Sequence, residues 1–153
     1  MNPDLLTAFA ESIWVKSKAL RAKGLTDLET RRLHESISED IKKWTDLLPP
    51  SVSVAAKAEA DRRGVDLRQM DWHHQHRFDR GRLMFQWEHV VPVRSIRKDC
   101  LAASSLTAVA NVLETARVAW ILKEEDRRLT DLGYRWERPD PDDAYRQARI
   151  TLL

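Results

Sequence analysis

Two short runs read as β-strands in a chain whose other ordered stretches have the period of a helix. Leu83, Phe85 and Trp87 alternate with Met84 and Gln86, the pattern of a half-buried strand. Val118-Ala119-Trp120-Ile121-Leu122 is short, apolar and β-branched, which fits a second strand. Around them the sequence predicts helices. Over residues 4–22, Leu5, Leu6, Phe9, Ile13, Trp14 and Leu20 recur at helical spacing, with Lys16, Lys18 and Arg21 on the other face and Gly24 as the stop. Thr26-Asp27-Leu28-Glu29 has the form of a capping box. It opens a helix to about residue 48, with Leu33, Ile37, Ile41, Trp44 and Leu48 on one stripe, ended by Pro49-Pro50. A third helix is expected over 53–63, before Gly64. The fold class is therefore α+β and mainly helical.

The texture changes at Val65. Residues 65–82 are rich in Asp, His, Arg and Gln without a clear period and read as loop. The chain divides accordingly into a helical region, 1–64, and a second region, 65–153, although one compact domain is also compatible with the length. After the first strand, Ser104 or Ser105 can cap a helix carrying Leu106, Val109, Ala110 and Leu113. The second strand runs into a helix with Glu124, Glu125 and Asp126 in its first turn and bases after them, as the helix dipole favours. Gly133 closes it, and Asp140-Pro141 starts a last short helix through Tyr145.

Composition narrows the function classes. No apolar run reaches the about 20 residues that span a bilayer, so no membrane partner is expected. The chain starts Met1-Asn2-Pro3-Asp4, without the basic stretch of a secretory leader, and a cytoplasmic location is expected. Cys100 is the single cysteine, which excludes an internal disulfide and any zinc site built on paired cysteines. The net charge of +2 is too small to announce a nucleic-acid binder. Its distribution says more: residues 62–98 hold nine Arg or Lys against four Asp or Glu.

The first strand ends in Glu88-His89-Val90-Val91-Pro92, and the second leads directly into the acid-rich helix. This order resembles the HNH (His-Me finger, ββα-metal) nucleases over residues 83–133, about a third of the chain. The resemblance implies an N-terminal helical part plus a ββα-metal module with an inserted helix, the insertion covering about 94–117. It implies a metal-dependent endonuclease acting on DNA rather than RNA, with His89 as general base and Glu88 as one ligand of a single divalent cation. The second ligand falls on Asp126, with Glu125 as the rival because the helix register is open by one residue. Mg²⁺ is the expected cation, Mn²⁺ the other candidate, and no structural zinc is expected. Arg94, Arg97, Lys98 and Arg127 are the candidate nucleic-acid contacts, and a homodimer would let one active centre per copy cut both strands.

The chemistry is consistent with those residue types. A histidine with an unperturbed pKa of about 6.5 is a usable base near neutral pH. A hard cation takes carboxylate oxygens and keeps open positions for phosphate and water. Adjacent residues of an ideal strand point oppositely, so Glu88 and His89 converge only at a bent strand end, which Pro92 permits. Each feature also has a plain structural reading. His89 can be an inert strand-end histidine, and the acids of residues 124–126 can serve the helix dipole alone. His73-His74-Gln75-His76 invites a metal reading, but consecutive residues rarely converge on one ion. Cys100, Trp14 and Trp44 read as core, and Arg62-Arg63 and Arg127-Arg128 as solvated helix surface. On that reading the chain is a non-catalytic helical adaptor or regulator that binds nucleic acid or a protein.

Overall fold

The computed structural model describes residues 3–153. Its helices and strands, in chain order, are α1 (Pro3–Leu20), α2 (Asp27–Thr45), β1 (Ser51–Val52), α3 (Val54–Arg62), α4 (Gln75–Phe78), β2 (Phe85–His89), α5 (Val93–Ala102), α6 (Leu106–Glu114), β3 (Val118–Leu122), α7 (Lys123–Asp131) and α8 (Pro141–Gln147). Helix dominates and one small sheet is present, so the α+β, mainly helical class holds. No described helix is long and apolar enough to cross a membrane.

The helix boundaries follow the capping chemistry. Thr26 accepts the Glu29 N–H while the Glu29 carboxylate accepts the Thr26 N–H at 2.8 Å, the reciprocal pair expected of this sequence. Ser53, Ser105 and Asp140 cap α3, α6 and α8 in the same manner, each accepting from a backbone N–H three residues on. Gly133 takes a φ of +85° just after α7, a conformation that favours glycine.

The chain forms two compact units, and each is discontinuous in sequence. One comprises Met1–Leu47 with Val93–Ala116, the other Leu48–Pro92 with Arg117–Leu153. This differs from a division at residue 64, and the reason lies in the segment between the strands. That segment holds two helices, α5 and α6, rather than one inserted helix, and both group with α1 and α2. Val93, Ile96 and Cys100 carry the helical period of α5, with Ile96 and Cys100 fully buried.

In the all-helical unit, Ala10, Ile13, Ile37, Ile41, Trp44, Ile96, Cys100, Val109 and Leu113 are buried. Trp44 stacks at a tilt on Phe9, with ring centroids 5.9 Å apart, and donates its Nε1–H to the Leu113 carbonyl at 2.9 Å. That bond satisfies the indole polar tip inside the core. Trp14 is only half-buried, with Lys18 and Arg21 over its ring, so it is not a core residue. Cys100 is buried, and that burial pushes its thiol pKa up to about 12, which leaves it a small apolar group.

The second unit is built on the sheet, in the order β1-β3-β2, with β1 parallel and β2 antiparallel to the central β3. Because β3 is central, its residues alternate between two buried faces. Val118 and Trp120 join Val52, Ala56, Ala60, Leu67, Phe85 and Trp87 on the face covered by α3 and the 65–84 segment. Ala119 and Ile121 join Val90, Leu129, Ala144, Tyr145, Ala148 and Ile150 on the face covered by α7 and α8. The 65–82 segment, read from sequence as loop, contains the single turn of α4 and three short 3₁₀ turns.

Candidate functional site

The ladder between β2 and β3 is regular from Phe85↔Leu122 to His89↔Val118, and the Val90 N–H goes on to donate to the Arg117 carbonyl. Regular pairing fixes which face each residue serves. Gln86, Glu88 and Val90 lie on the α7–α8 face, opposite or beside Ile121 and Ala119. Phe85, Trp87 and His89 lie on the other, with Trp120 and Val118. The bend that would bring His89 beside Glu88 does not occur within β2.

Glu88 is half-buried at the centre of a polar cluster on the α7–α8 face. Its Oε1 accepts from Arg138 Nη2 at 2.6 Å, and the two side chains are 14% and 1% exposed. Arg138 has three further acceptors: the His89 carbonyl at 2.7 Å, the Val90 carbonyl at 3.1 Å and the Tyr134 carbonyl at 2.9 Å. A guanidinium presents five N–H donors in a rigid plane, and here most of them are used to tie the loop after α7 to the end of β2. Burial raises the Glu88 pKa above the ordinary carboxylate value; the Asp126 charge adds to that, while Arg138 and Lys123 pull the other way.

Asp126 and Glu125, adjacent on α7, have different fates. Glu125 is buried, and its Oε2 accepts from the Ser53 hydroxyl at 2.6 Å and from the Leu122 N–H at 2.8 Å. It closes the N-terminus of α7 and links it to the start of α3, so its carboxylate is committed to the fold. Asp126 is half-buried and has no hydrogen-bond or ion-pair partner among the described residues, yet its charge acts on Glu88 and on Tyr145. Glu88 Oε2 likewise receives no protein donor among the described residues.

Sequence reasoning missed two members of this cluster. Arg138 sits in an irregular stretch with no period to expose it. Tyr145 was legible only as the end of a short helix. Its hydroxyl is buried without a hydrogen-bond partner, and burial, then the Glu88 charge, raises its pKa. The Arg138 guanidinium lies 5.6 Å from its ring centroid. The one available signal was the Asp140-Pro141 helix start, which fixes the register that aims Tyr145 inward.

The other sequence candidates disperse. Arg94, Arg97 and Lys98 lie on α5, in the all-helical unit, where Arg97 donates to the Ser38 hydroxyl at 2.9 Å. Arg127 is exposed on α7. Arg62 and Arg63 both pair with Glu59 on the surface of α3. His73 and His76 are exposed, and His74 Nδ1 lies 3.0 Å from Asp71. No group of three His, Cys, Asp or Glu among the described residues is placed to hold a metal ion. Glu88 Oε2 and the unpartnered Asp126 do offer two hard oxygen donors on one face. That set fits a cation that retains most of its water, as Mg²⁺ does, and not a closed protein cage. No family model, curated protein or solved structure matches the chain.

Proposed function

We propose that the sheet-bearing unit is an HNH-type, divalent-cation-dependent endonuclease module that hydrolyses phosphodiester bonds, in DNA rather than RNA. Glu88 and Asp126 are the cation ligands, Mg²⁺ or Mn²⁺ the cation, and His89 the general base. The observation that carries this reading is Asp126: an unpartnered carboxylate on the first turn of α7, acting on half-buried Glu88 at the end of the antiparallel β2–β3 pair. A bound cation would neutralise charge on the phosphate and lower the pKa of a bound water.

The protein groups divide the remaining work. Arg138 holds Glu88 by one oxygen and leaves the other for the cation. Tyr145 carries a buried hydroxyl free to donate to an oxygen in the cluster. Arg127, exposed on the same helix as Asp126, contacts a flanking phosphate. His89 ends an edge strand, and taking a proton from water on the Glu88 face requires that end to turn. A homodimer would place two such sites on one duplex.

A second reading is favoured by the regular ladder through His89 and by the bonds from Arg138 to the His89 and Val90 carbonyls. In it Glu88–Arg138 is a structural tie, and the protein is a non-catalytic adaptor or regulator. Plasmid and RNA cleavage in EDTA, Mg²⁺ or Mn²⁺ separates the two. The nuclease reading expects metal-dependent cleavage that falls by about 10²-fold or more in folded His89→Ala, the range for a lost general base. Absence of cleavage with every metal, together with no metal-dependent rise in melting temperature, establishes the adaptor reading.

A further inference from the structure

The turn between α4 and β2 is held by a buried carboxylate. Asp79 is buried, and its two oxygens accept the N–H groups of Leu83, Met84 and Phe85 at 2.9–3.2 Å and the Gln75 side-chain amide at 3.0 Å. These bonds hold Gly81 at φ +74° and Arg82 at φ +53°. The left-handed region is uncommon for a residue other than glycine and persists where the surroundings over-determine it. Of the other acids between residues 65 and 82, Asp71 accepts the His74 N–H at 3.1 Å and faces the His74 ring, and exposed Asp66 accepts the Arg68 N–H at 3.1 Å. All three carboxylates thus bond within the segment, while Arg77, Arg80 and Arg82 are exposed.

Some exposed cations elsewhere pair with acids along their own helices, among them Arg32 with Glu35, Lys42 with Glu39, Lys57 with Asp61, Arg62 with Glu59 and Arg146 with Asp143, while others such as Arg135, which lies over the Trp136 ring, do not. Arg77, Arg80 and Arg82 have no carboxylate partner among the described residues. Arg82 lies instead 4.8 Å from the centroid of the Trp72 ring, which the His73 ring also approaches, at 4.3 Å. Leu83, next in sequence, is 79% exposed.

We propose that this Asp79-pinned turn is a docking surface for the phosphate backbone of nucleic acid, with Arg77, Arg80 and Arg82 as the phosphate contacts. Three exposed guanidiniums within six residues concentrate positive charge at the turn, and guanidinium suits phosphate geometry. Phosphate contacts of this kind position a protein without reading sequence. The Trp72 stack and the bare Leu83 add planar and apolar surface beside the charges, which favours nucleic acid over an acidic peptide. The proposal moves the interface from Arg94, Arg97 and Lys98 to a different segment, and it goes beyond the cleavage reading because it requires neither metal nor catalysis.

Fluorescence anisotropy in EDTA tests it with the whole protein, a labelled 20-base-pair duplex and a labelled 20-nucleotide single strand, at 50 and 200 mM salt. The triple variant Arg77→Gln, Arg80→Gln, Arg82→Asn keeps a residue tolerant of positive φ at position 82. It is expected to bind at least one of the two probes about tenfold or more weakly, with the duplex salt slope reduced by about 2 to 3. Arg32→Gln, Arg62→Gln, Arg146→Gln removes equal charge from paired positions and is expected to bind within about twofold of wild type. The single variant Arg80→Gln, at an ordinary backbone position, is expected to weaken binding in the same direction should the triple variant fold poorly. Any one of four results overturns the proposal: no wild-type binding at 50 mM salt, equal losses in the two triple variants, wild-type affinity in every turn variant, or displacement of DNA by polyglutamate at equal charge. Binding lost in the turn variants while plasmid cleavage is absent throughout would keep the docking surface and reject the nuclease.

Discussion

The two ends of β2 each keep a carboxylate out of bulk water and satisfy it in opposite ways. Before the strand, Asp79 meets four neutral N–H donors. Burial alone would raise its pKa, but the bonds from Phe85, Gln75, Met84 and Leu83 overcome that and hold it below the ordinary carboxylate value. After the strand core, Glu88 meets one guanidinium and a second carboxylate, and its pKa moves up. Neutral donors stabilise the ionised form of Asp79 and commit both of its oxygens to the turn. A charged partner and a like-charged neighbour leave an unbalanced cluster, which a ligand or cation can rebalance. The first arrangement belongs to folding, and the second is where chemistry is to be sought.

The sharpest way to break this contrast is at Arg138. Arg138→Ala strands half-buried Glu88 and frees three carbonyls at once, and is expected to cost about 3–5 kcal/mol in urea unfolding. Adding Glu88→Gln should recover part of that loss; no recovery would mean that the carbonyl ties, and not the ion pair, carry the stability. Asp79→Asn keeps the shape but replaces an acceptor by a donor, and is expected to cost about 2 kcal/mol at pH 7. The sign with pH follows from the lowered pKa. Ionised Asp79 stabilises fully above its unfolded-state value of about 4 and loses that contribution as pH falls through the lower folded-state value. The gap between wild type and Asp79→Asn should therefore close on acidification below about pH 4, and a gap that widens there would contradict the backbone-donor account. Asp126→Asn has the smallest expected effect on stability, within about 0.5 kcal/mol, because no bond is lost and repulsion on Glu88 is relieved. Under the nuclease reading the same variant removes metal-dependent cleavage, so melting and cleavage should separate completely.

The parts of the fold that were legible in sequence are those with local causes. The Thr26 capping box, the Phe85–Trp87 alternation and the Asp140-Pro141 start each act within a few residues, and the elements sit where these signals place them, whereas α2 ends at Thr45 and leaves Leu48, expected on its stripe, outside the helix. β1 has two residues, too few for any period, and exists because β3 offers it an edge. α5 was hidden because only Ile96 and Cys100 are buried in a stretch otherwise rich in charge. At the candidate site, Glu88, Glu125 and Asp126 could be named from the strand–helix order, whereas the bond that ties up Glu125 comes from the Ser53 hydroxyl 72 residues earlier. Arg138 joins the cluster through tertiary packing alone, which leaves no pattern in a one-dimensional string, and for Tyr145 only the Asp140-Pro141 start was visible.

The interleaving of the two units has a consequence for dissection. β2 and β3 are neighbours in the sheet, yet the helices of the other unit lie between them in sequence, and β1 and α3 precede both. A fragment beginning at residue 65 would keep β2 and β3 but lose β1, baring one edge of β3, and would lose α3, uncovering Trp120 and Phe85. An unprotected strand edge beside exposed aromatics invites pairing with a second chain. No single cut yields either half whole, so the fragments of this protein are expected to be sticky even where the intact chain is well behaved.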